Sequence, residues 1–173
     1  MTDDETDGGV RVEHVPVPAW ERDLLLDRTE QYGLVVLPRA VRDRLGEYRE
    51  DDLQAVKALR AAGVNVDYAH PASERTFASE YGATEVALTI GFFVAQALGQ
   101  GSVVEVARWL LVRVRQALAA GPPRVKGPTF VIKVDRLKVD GNRREIEGLT
   151  ITGRDERIVD AAASLLRGDP PPQ

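Results

Sequence analysis

The strongest candidate for a catalytic or ligand-binding side chain is His70. The chain contains only two histidines, His14 and His70. His70 follows a short segment of alternating apolar and polar residues, and Asp67 and Glu80 lie near it in the sequence. A histidine beside carboxylates can perform acid–base chemistry, and ligands often bind where the strands of an α/β unit end. Asp67, His70 and Glu80 therefore form a candidate ligand loop. The alternative, which we favour, is a structural histidine before Pro71 that is hydrogen-bonded locally.

Other catalytic and cofactor chemistries have few residues to use. The chain has no cysteine, which excludes disulfides, thiolate metal sites and cysteine nucleophiles. Two histidines are too few for multi-histidine metal sites and make a serine triad improbable, and no P-loop or dinucleotide fingerprint occurs. We therefore expect no metal and no cofactor, and we favour a protein that is not an enzyme.

A different set of residues is typical of a binding surface. Ser102 and Glu105 have the spacing of a capping box and predict the start of a helix that ends near Ala120. Its inward stripe is expected to contain Val103, Ala107, Leu110, Leu111, Val114 and Leu118. The residues that fall outside this stripe or at its edge are Arg108, Trp109, Val112, Arg113 and Arg115. Trp and Arg often anchor interfaces, so we expect these five to bind a partner, unless the helix is buried on two sides.

The segment before this helix is uncharged from residue 86 to residue 104. Its length and alanine content predict a helix over 84–98, with a break at 99–102. The two helices would form a pair over 84–118, and an exposed apolar pair would require a partner or a membrane surface. The run is close to the length of a membrane-spanning helix, but its glycines and polar residues argue against one.

The N-terminal half is predicted to be an α/β lobe. Alternation predicts an edge strand over 10–17, and an apolar run that stops at a proline predicts a buried strand over 34–37. A short helix is expected over 40–48. A capped amphipathic pattern predicts a second helix over 51–62, and alternation predicts a strand over 64–68. The two strands that flank the second helix are expected to be parallel.

The C-terminal half ends in a predicted hairpin and helix. Residues 129–139 alternate, a turn signal follows at 140–142, and Ile146, Leu149 and Ile151 mark the return strand. A last helix is expected from Asp155 onward. The fold class is therefore α+β, with a strand–helix–strand lobe packed on a helix–helix–hairpin–helix lobe. Its expected divisions are a disordered acidic tail (1–9), an α/β lobe (10–81), a C-terminal lobe (82–168) and a frayed terminus (169–173).

Charge is distributed unevenly along the chain. The formal net charge of −4 equals the charge of the four acids in residues 1–9, whereas residues 106–144 hold ten bases and two acids. Phe130 is the only aromatic residue in the basic stretch 124–144. This argues against specific nucleic-acid binding, because base stacking needs aromatic side chains. An anionic membrane surface is the alternative partner. The acidic N-terminus lacks the apolar core of a signal peptide, so we expect a cytoplasmic protein.

The order of these C-terminal elements resembles a known type of domain. Residues 83–111 read ATEVALTIGFFVAQALGQGSVVEVARWLL and precede the charged hairpin and the short final helix. Over about residues 83–168 this pattern is similar to actinobacterial proteins of unknown function and to effector-associated domains of bacterial conflict systems. The resemblance implies a non-enzymatic protein that acts by association, and it carries over no site residue.

The sequence therefore predicts an accessory or adaptor protein that binds another protein or itself through the 84–118 helical pair, and the resemblance implies a role in a bacterial conflict or defence system. Two alternatives remain. One is a small enzyme or ligand-binding protein that uses the His70 loop, and the other is a peripheral membrane-associated accessory protein.

Overall fold

The computed structural model describes residues 9–28, 33–78, 86–120 and 128–172. Within them the chain forms an α+β fold with a six-stranded mixed sheet, a three-stranded mixed sheet and four helices. The order of the six-stranded sheet is β1-β9-β8-β7-β2-β5. Its strands are β1 (Arg11–His14), β2 (Leu34–Val36), β5 (Val66–Tyr68), β7 (Val86–Val94), β8 (Thr129–Asp140) and β9 (Arg143–Gly153). The sheet thus contains strands from both halves of the chain.

Several sequence predictions are confirmed in this sheet. Strand β1 lies at its edge and pairs antiparallel with β9, as the proline-limited segment 10–17 predicts. Strands β2 and β5 are parallel neighbours. Strands β8 and β9 form the predicted hairpin, and helix α4 (Arg157–Leu166) follows it.

The helix predicted over 84–98 is wrong, because residues 86–94 form strand β7 and the described residues after them are irregular. It pairs in parallel with β8 and antiparallel with β2, so it has a neighbour on each side. Its side chains are covered on both faces of the sheet: Ile90 and Phe92 belong to one apolar cluster and Phe93 belongs to the other. A strand buried on both faces is a continuous apolar run without alternation, and such a run is difficult to distinguish from a buried helix. The helical pair over 84–118 is therefore a strand followed by a helix.

The short helix predicted over 40–48 is also wrong. Strands β3 (Ala40–Arg42) and β4 (Leu45–Arg49) form a tight antiparallel hairpin there. Asp43 and Arg44 connect them with φ angles of 51° and 67°, and positive φ at both central residues is the requirement of the turn type that matches strand twist. Strand β6 (Arg75–Ala78) pairs in parallel with β4 and completes the three-stranded sheet.

Helices cover both faces of the large sheet. Helix α2 (Glu50–Ala61), helix α3 (Gln100–Ala120) and α4 contribute to the larger core cluster, in which Leu59, Leu110 and Ile158 are almost completely buried. Helix α1 (Ala19–Leu26) places Leu25 in the smaller cluster on the opposite face. None of the helices in the described ranges is long and apolar enough to cross a membrane.

Helix α3 begins two residues earlier than the predicted capping box. The backbone N–H of Val103 donates to the carbonyl of Gly99 at 3.1 Å, so the helix already includes Gln100 and Gly101. Ser102 therefore lies inside the first turn. The described part of the helix extends to Ala120, and the residues that follow it lie outside the described ranges.

Candidate functional site

The candidate ligand loop is enclosed by protein at His70, which is 4% exposed. The hydroxyl of Tyr48 accepts the backbone N–H of His70 at 3.1 Å and lies 3.1 Å from the imidazole Nδ1. Gly46 lies against the ring so closely that a methyl group at that position would overlap it. Burial lowers the pKa of His70 and raises that of Tyr48. The histidine is therefore a neutral, hydrogen-bonded part of the core.

The carboxylate of Asp67 is neutralised by two arginines. Arg60 Nη2 lies 2.7 Å from Asp67 Oδ1, and Arg75 Nη2 lies 3.5 Å from the same oxygen. Arg75 also donates to the carbonyl of His70 at 2.7 Å, and its guanidinium lies 4.1 Å from the centroid of the Tyr68 ring. The structure thus brings Asp67 and His70 together through Arg75, in contacts that stabilise the strand end. Glu80 lies outside the described residues.

A buried charge cluster lies between α1 and the large sheet, and the sequence analysis did not identify it. Glu21 of α1 is paired with Lys133 of β8, whose Nζ lies 2.7 Å and 2.8 Å from the two carboxylate oxygens. Asp135 is completely buried, and its Oδ2 lies 3.4 Å from the same ammonium. Neither oxygen of Asp135 makes a hydrogen bond of good geometry, although the Glu21 carboxylate and the Lys133 ammonium lie beside it. Two buried carboxyl groups thus share one ammonium, whose own side chain is 29% exposed.

Burial is the main cause of the unusually high pKa of Asp135 in this cluster. It raises the pKa of Asp135 to about 7, and the neighbouring Glu21 carboxylate adds to the increase, whereas the Lys133 ammonium opposes it. The sequence contains only a partial signal, since Lys133 and Asp135 are two residues apart on one strand and must share a face. Glu21 is 112 residues away from Lys133, so sequence spacing cannot reveal the contact.

Two shallow depressions flank the β8–β9 hairpin. The larger, of about 410 Å³, is lined by residues that include His14, Lys138 and Glu147. The smaller, of about 340 Å³, lies between the hairpin and the C-terminal segment that contains Pro170. Glu147 lines both depressions and is bound by Arg136 at 2.6 Å and Lys138 at 3.0 Å. No group of three or more metal-ligating side chains occurs in the described part of the chain.

Helix α3 presents a different kind of surface. Its inward side chains Val103, Val106, Leu110 and Val114 are buried. On the outward side Val104, Val112 and Leu118 are between 38% and 48% exposed. Arg108 and Arg115 lie on the same side, with their side chains 66% and 60% exposed. We call the set of Val104, Arg108, Val112, Arg115 and Leu118 the α3 outer face.

Each arginine of the α3 outer face contacts one carboxylate at its border. Arg108 Nη1 donates to Glu105 at 2.8 Å, and Arg115 donates through Nε and Nη2 to Glu156 at 2.8 Å and 3.3 Å. These ion pairs are exposed, and exposed pairs contribute little to stability. The guanidinium groups are therefore held close to the apolar side chains while they remain open to solvent.

The other two predicted binding residues lie on the flank of α3 that faces α2. Trp109 is partly buried and packs against the large core cluster. Arg113 forms an ion pair with Asp51 of α2, and its guanidinium lies 5.7 Å from the Trp109 ring centroid. Of the five predicted binding residues, the structure therefore places Arg108, Val112 and Arg115 outward. Val104 and Leu118 were missed, and Leu118 was assigned to the inward stripe because it lies at the margin of the apolar sector.

No family model, curated protein or solved structure matches this chain.

Proposed function

We propose that the protein is a non-enzymatic adaptor that binds another polypeptide through the α3 outer face. The observation that carries the proposal is the row of partly exposed apolar side chains, Val104, Val112 and Leu118, on one side of a 21-residue helix. Isolated exposed apolar residues are common, whereas an exposed apolar patch with a polar border often marks a protein-binding site. A helix of this length extends for about 31 Å and offers a row of anchoring positions.

The charges on the α3 outer face indicate the chemistry of the partner. Arg108 and Arg115 lie among the apolar side chains, and their two carboxylate partners lie at the border. An arginine guanidinium presents five N–H donors and binds carboxylates in a planar geometry. We therefore expect the partner to be an amphipathic acidic helix, with aliphatic side chains against Val112 and carboxylates that reach Arg108 and Arg115.

The buried state of the His70 loop also supports an adaptor over an enzyme. The described members of the candidate ligand loop, Asp67 and His70, are committed to contacts within the protein. The proposed role in a bacterial conflict or defence system depends on the resemblance of residues 83–168. The hairpin and final helix agree with that pattern, and the strand at 86–94 departs from it.

A synthetic peptide can test the proposal without knowledge of the natural partner. The probe is a fluorescent amphipathic helix of about 18 residues, or five turns, with leucines on one side and glutamates beside them. An isomer with lysines in place of the glutamates serves as the comparison. Fluorescence anisotropy should show that the wild-type protein binds the glutamate peptide at least tenfold more tightly than the lysine peptide.

Three variants locate the binding surface. Arg108→Glu and Val112→Glu should each weaken binding of the glutamate peptide at least tenfold, because they place like charges against it or disrupt the apolar contact. Val139→Ser changes an apolar residue of the hairpin that is 61% exposed and should leave binding unchanged. Equal binding of both peptides, or equal loss in all three variants, would contradict the proposal. Salt-sensitive flotation with phosphatidylglycerol vesicles, without peptide binding, would instead support the membrane alternative.

A further inference from the structure

The two edge strands of the six-stranded sheet differ in whether their outward backbone groups are hydrogen-bonded. At the β5 edge, Leu34 N donates to Asn65 O and Ala69 N donates to Val36 O. The alternate residues Val66 and Tyr68 therefore direct their backbone groups away from β2. Arg60 Nε donates to Val66 O at 3.0 Å, and Arg28 Nη2 donates to Tyr68 O at 3.4 Å. Arginine side chains thus already donate hydrogen bonds to the carbonyls that another strand would need for pairing at this edge.

In the part of the chain that the structure describes, the β1 edge has no such cover. Val15 N donates to Gly148 O at 2.9 Å, so in the antiparallel pair Arg11, Glu13 and Val15 direct their backbone groups toward β9. Val12 and His14 direct theirs outward. Within the described residues, no backbone or side-chain hydrogen bond closes this edge. An open row of N–H and C=O groups is a template for another strand, and proteins usually protect it with charges or proline.

The charges on β1 do not protect it against a copy of itself. We propose that a second copy of this chain pairs antiparallel with β1, with the two Val12 residues opposite each other on a two-fold axis. In this register Arg11 of each copy lies opposite Glu13 of the other, and the side chains of both residues are exposed. Such positions, which are not hydrogen-bonded to each other, bring side chains closest in an antiparallel pair. Opposite charges directly across strands stabilise pairing.

This register is specified by the sequence. Shifting the axis to His14 would place Val12 opposite Pro16 of the second copy, and proline has no N–H to donate. It would also place Arg11 opposite Val17, where the second copy offers it no carboxylate and it keeps only the ion pair of 2.6 Å with Glu13 of its own strand. Of these two registers, only the axis at Val12 places Arg11 and Glu13 opposite a charge of the other sign in the second copy. The resulting assembly continues one sheet through two molecules and has closed two-fold symmetry.

The pairing is independent of the proposed adaptor function, because it uses no residue of α3. A contact of four or five residues per strand is small compared with the roughly 1,600 Å² that a stable interface buries. We therefore expect a weak dimer, with a dissociation constant on the order of 10 µM.

Sedimentation velocity over about 1–500 µM protein tests the proposal. The wild type should shift from monomer to dimer across this range. Arg11→Glu and Glu13→Arg should each weaken association about tenfold or more, since two like-charge pairs replace two opposite-charge pairs. The double charge exchange Arg11→Glu/Glu13→Arg should restore wild-type association.

A backbone test separates strand pairing from a charge effect elsewhere. His14→Pro removes an outward N–H that β9 does not use, and an edge strand accepts proline at such a position. It should abolish the dimer and leave the circular dichroism spectrum unchanged, whereas His14→Ala should dimerise like the wild type. A protein that stays monomeric at 500 µM would overturn the proposal. So would a dimer that is indifferent to His14→Pro and to the charge reversals.

Discussion

Replacing Asp135 with asparagine is expected to stabilise the protein above neutral pH. The carboxyl group is completely buried, its oxygens make no hydrogen bond of good geometry, and the Lys133 ammonium beside it is already paired with Glu21. A buried carboxylate that must share one ammonium with a second carboxylate is unfavourable, so burial and Glu21 favour the protonated form of Asp135 in the folded protein. Asparagine is similar in size to the protonated acid and is neutral at every pH. The substitution therefore removes the charge with little change in packing.

The magnitude follows from the difference between the two states of the chain. The pKa of Asp135 is about 7 in the folded protein, compared with an ordinary value of 3.8. Below pH 3.8 the acid is protonated in both states. Between these values the folded state holds a proton that the unfolded state releases, so stability falls as pH rises, by about 1.4 kcal/mol per pH unit. The full penalty above pH 7 is about 4 kcal/mol, and sharing of the proton with Glu21 reduces the part that Asp135 alone contributes.

The measurement is urea unfolding of the wild type and Asp135→Asn between pH 4.5 and pH 8.5. We expect the variant to be more stable by about 2–4 kcal/mol at pH 8 and the advantage to shrink steadily toward pH 4.5. Asp140→Asn provides the matched control, because Asp140 is exposed on the same strand and its replacement should produce no such dependence. A variant that is less stable than wild type at pH 8, or a difference that does not change with pH, would refute the reasoning.

Four further substitutions at three positions test the contacts around the small sheet, each by chemical denaturation at pH 7. Tyr48→Phe removes the hydroxyl that accepts the His70 N–H and should lower the free energy of unfolding by about 1–3 kcal/mol. A loss below about 0.5 kcal/mol would show that water replaces the missing hydroxyl as the acceptor. Asp52→Asn disrupts the buried ion pair with Arg39 at 3.1 Å and should lower stability by about 3 kcal/mol, whereas Asp52→Glu should lose less. Gly46→Ala places a methyl group into the His70 ring and should destabilise by about 1–3 kcal/mol; wild-type stability would mean that the ring moves aside freely.

Local sequence patterns predicted the elements that have one solvent-exposed face or that end at a recognisable turn or helix-stop residue. The hairpin β8–β9 was found because its strands alternate around the turn signal at 140–142, and α2 because its apolar spacing ends before Gly63. The inward side of α3 was largely predicted for the same reason. Alternation and helical spacing are properties of neighbouring residues, so they can be recognised without tertiary contacts.

The two errors in secondary structure have a common physical origin. Strand β7 is covered on both faces, so its pattern lacks the alternation by which a strand is recognised. The β3–β4 hairpin depends on two residues with positive φ, Asp43 and Arg44, which do not form one of the strong turn dipeptides. In both cases the tertiary environment, and not the local spacing, selects the conformation.

For the candidate sites, the sequence determined which side chains were available, and the tertiary structure decided which of them are accessible. The absence of cysteine and the presence of two histidines restricted the possible chemistry from the start. The enclosure of His70 by Tyr48 and the pairing of Arg113 with Asp51 involve residues 22 and 62 positions apart. The same holds for Glu21 and Lys133, 112 positions apart. Contacts between distant residues depend on how whole elements pack together, and this packing is not encoded in the spacing within any single element.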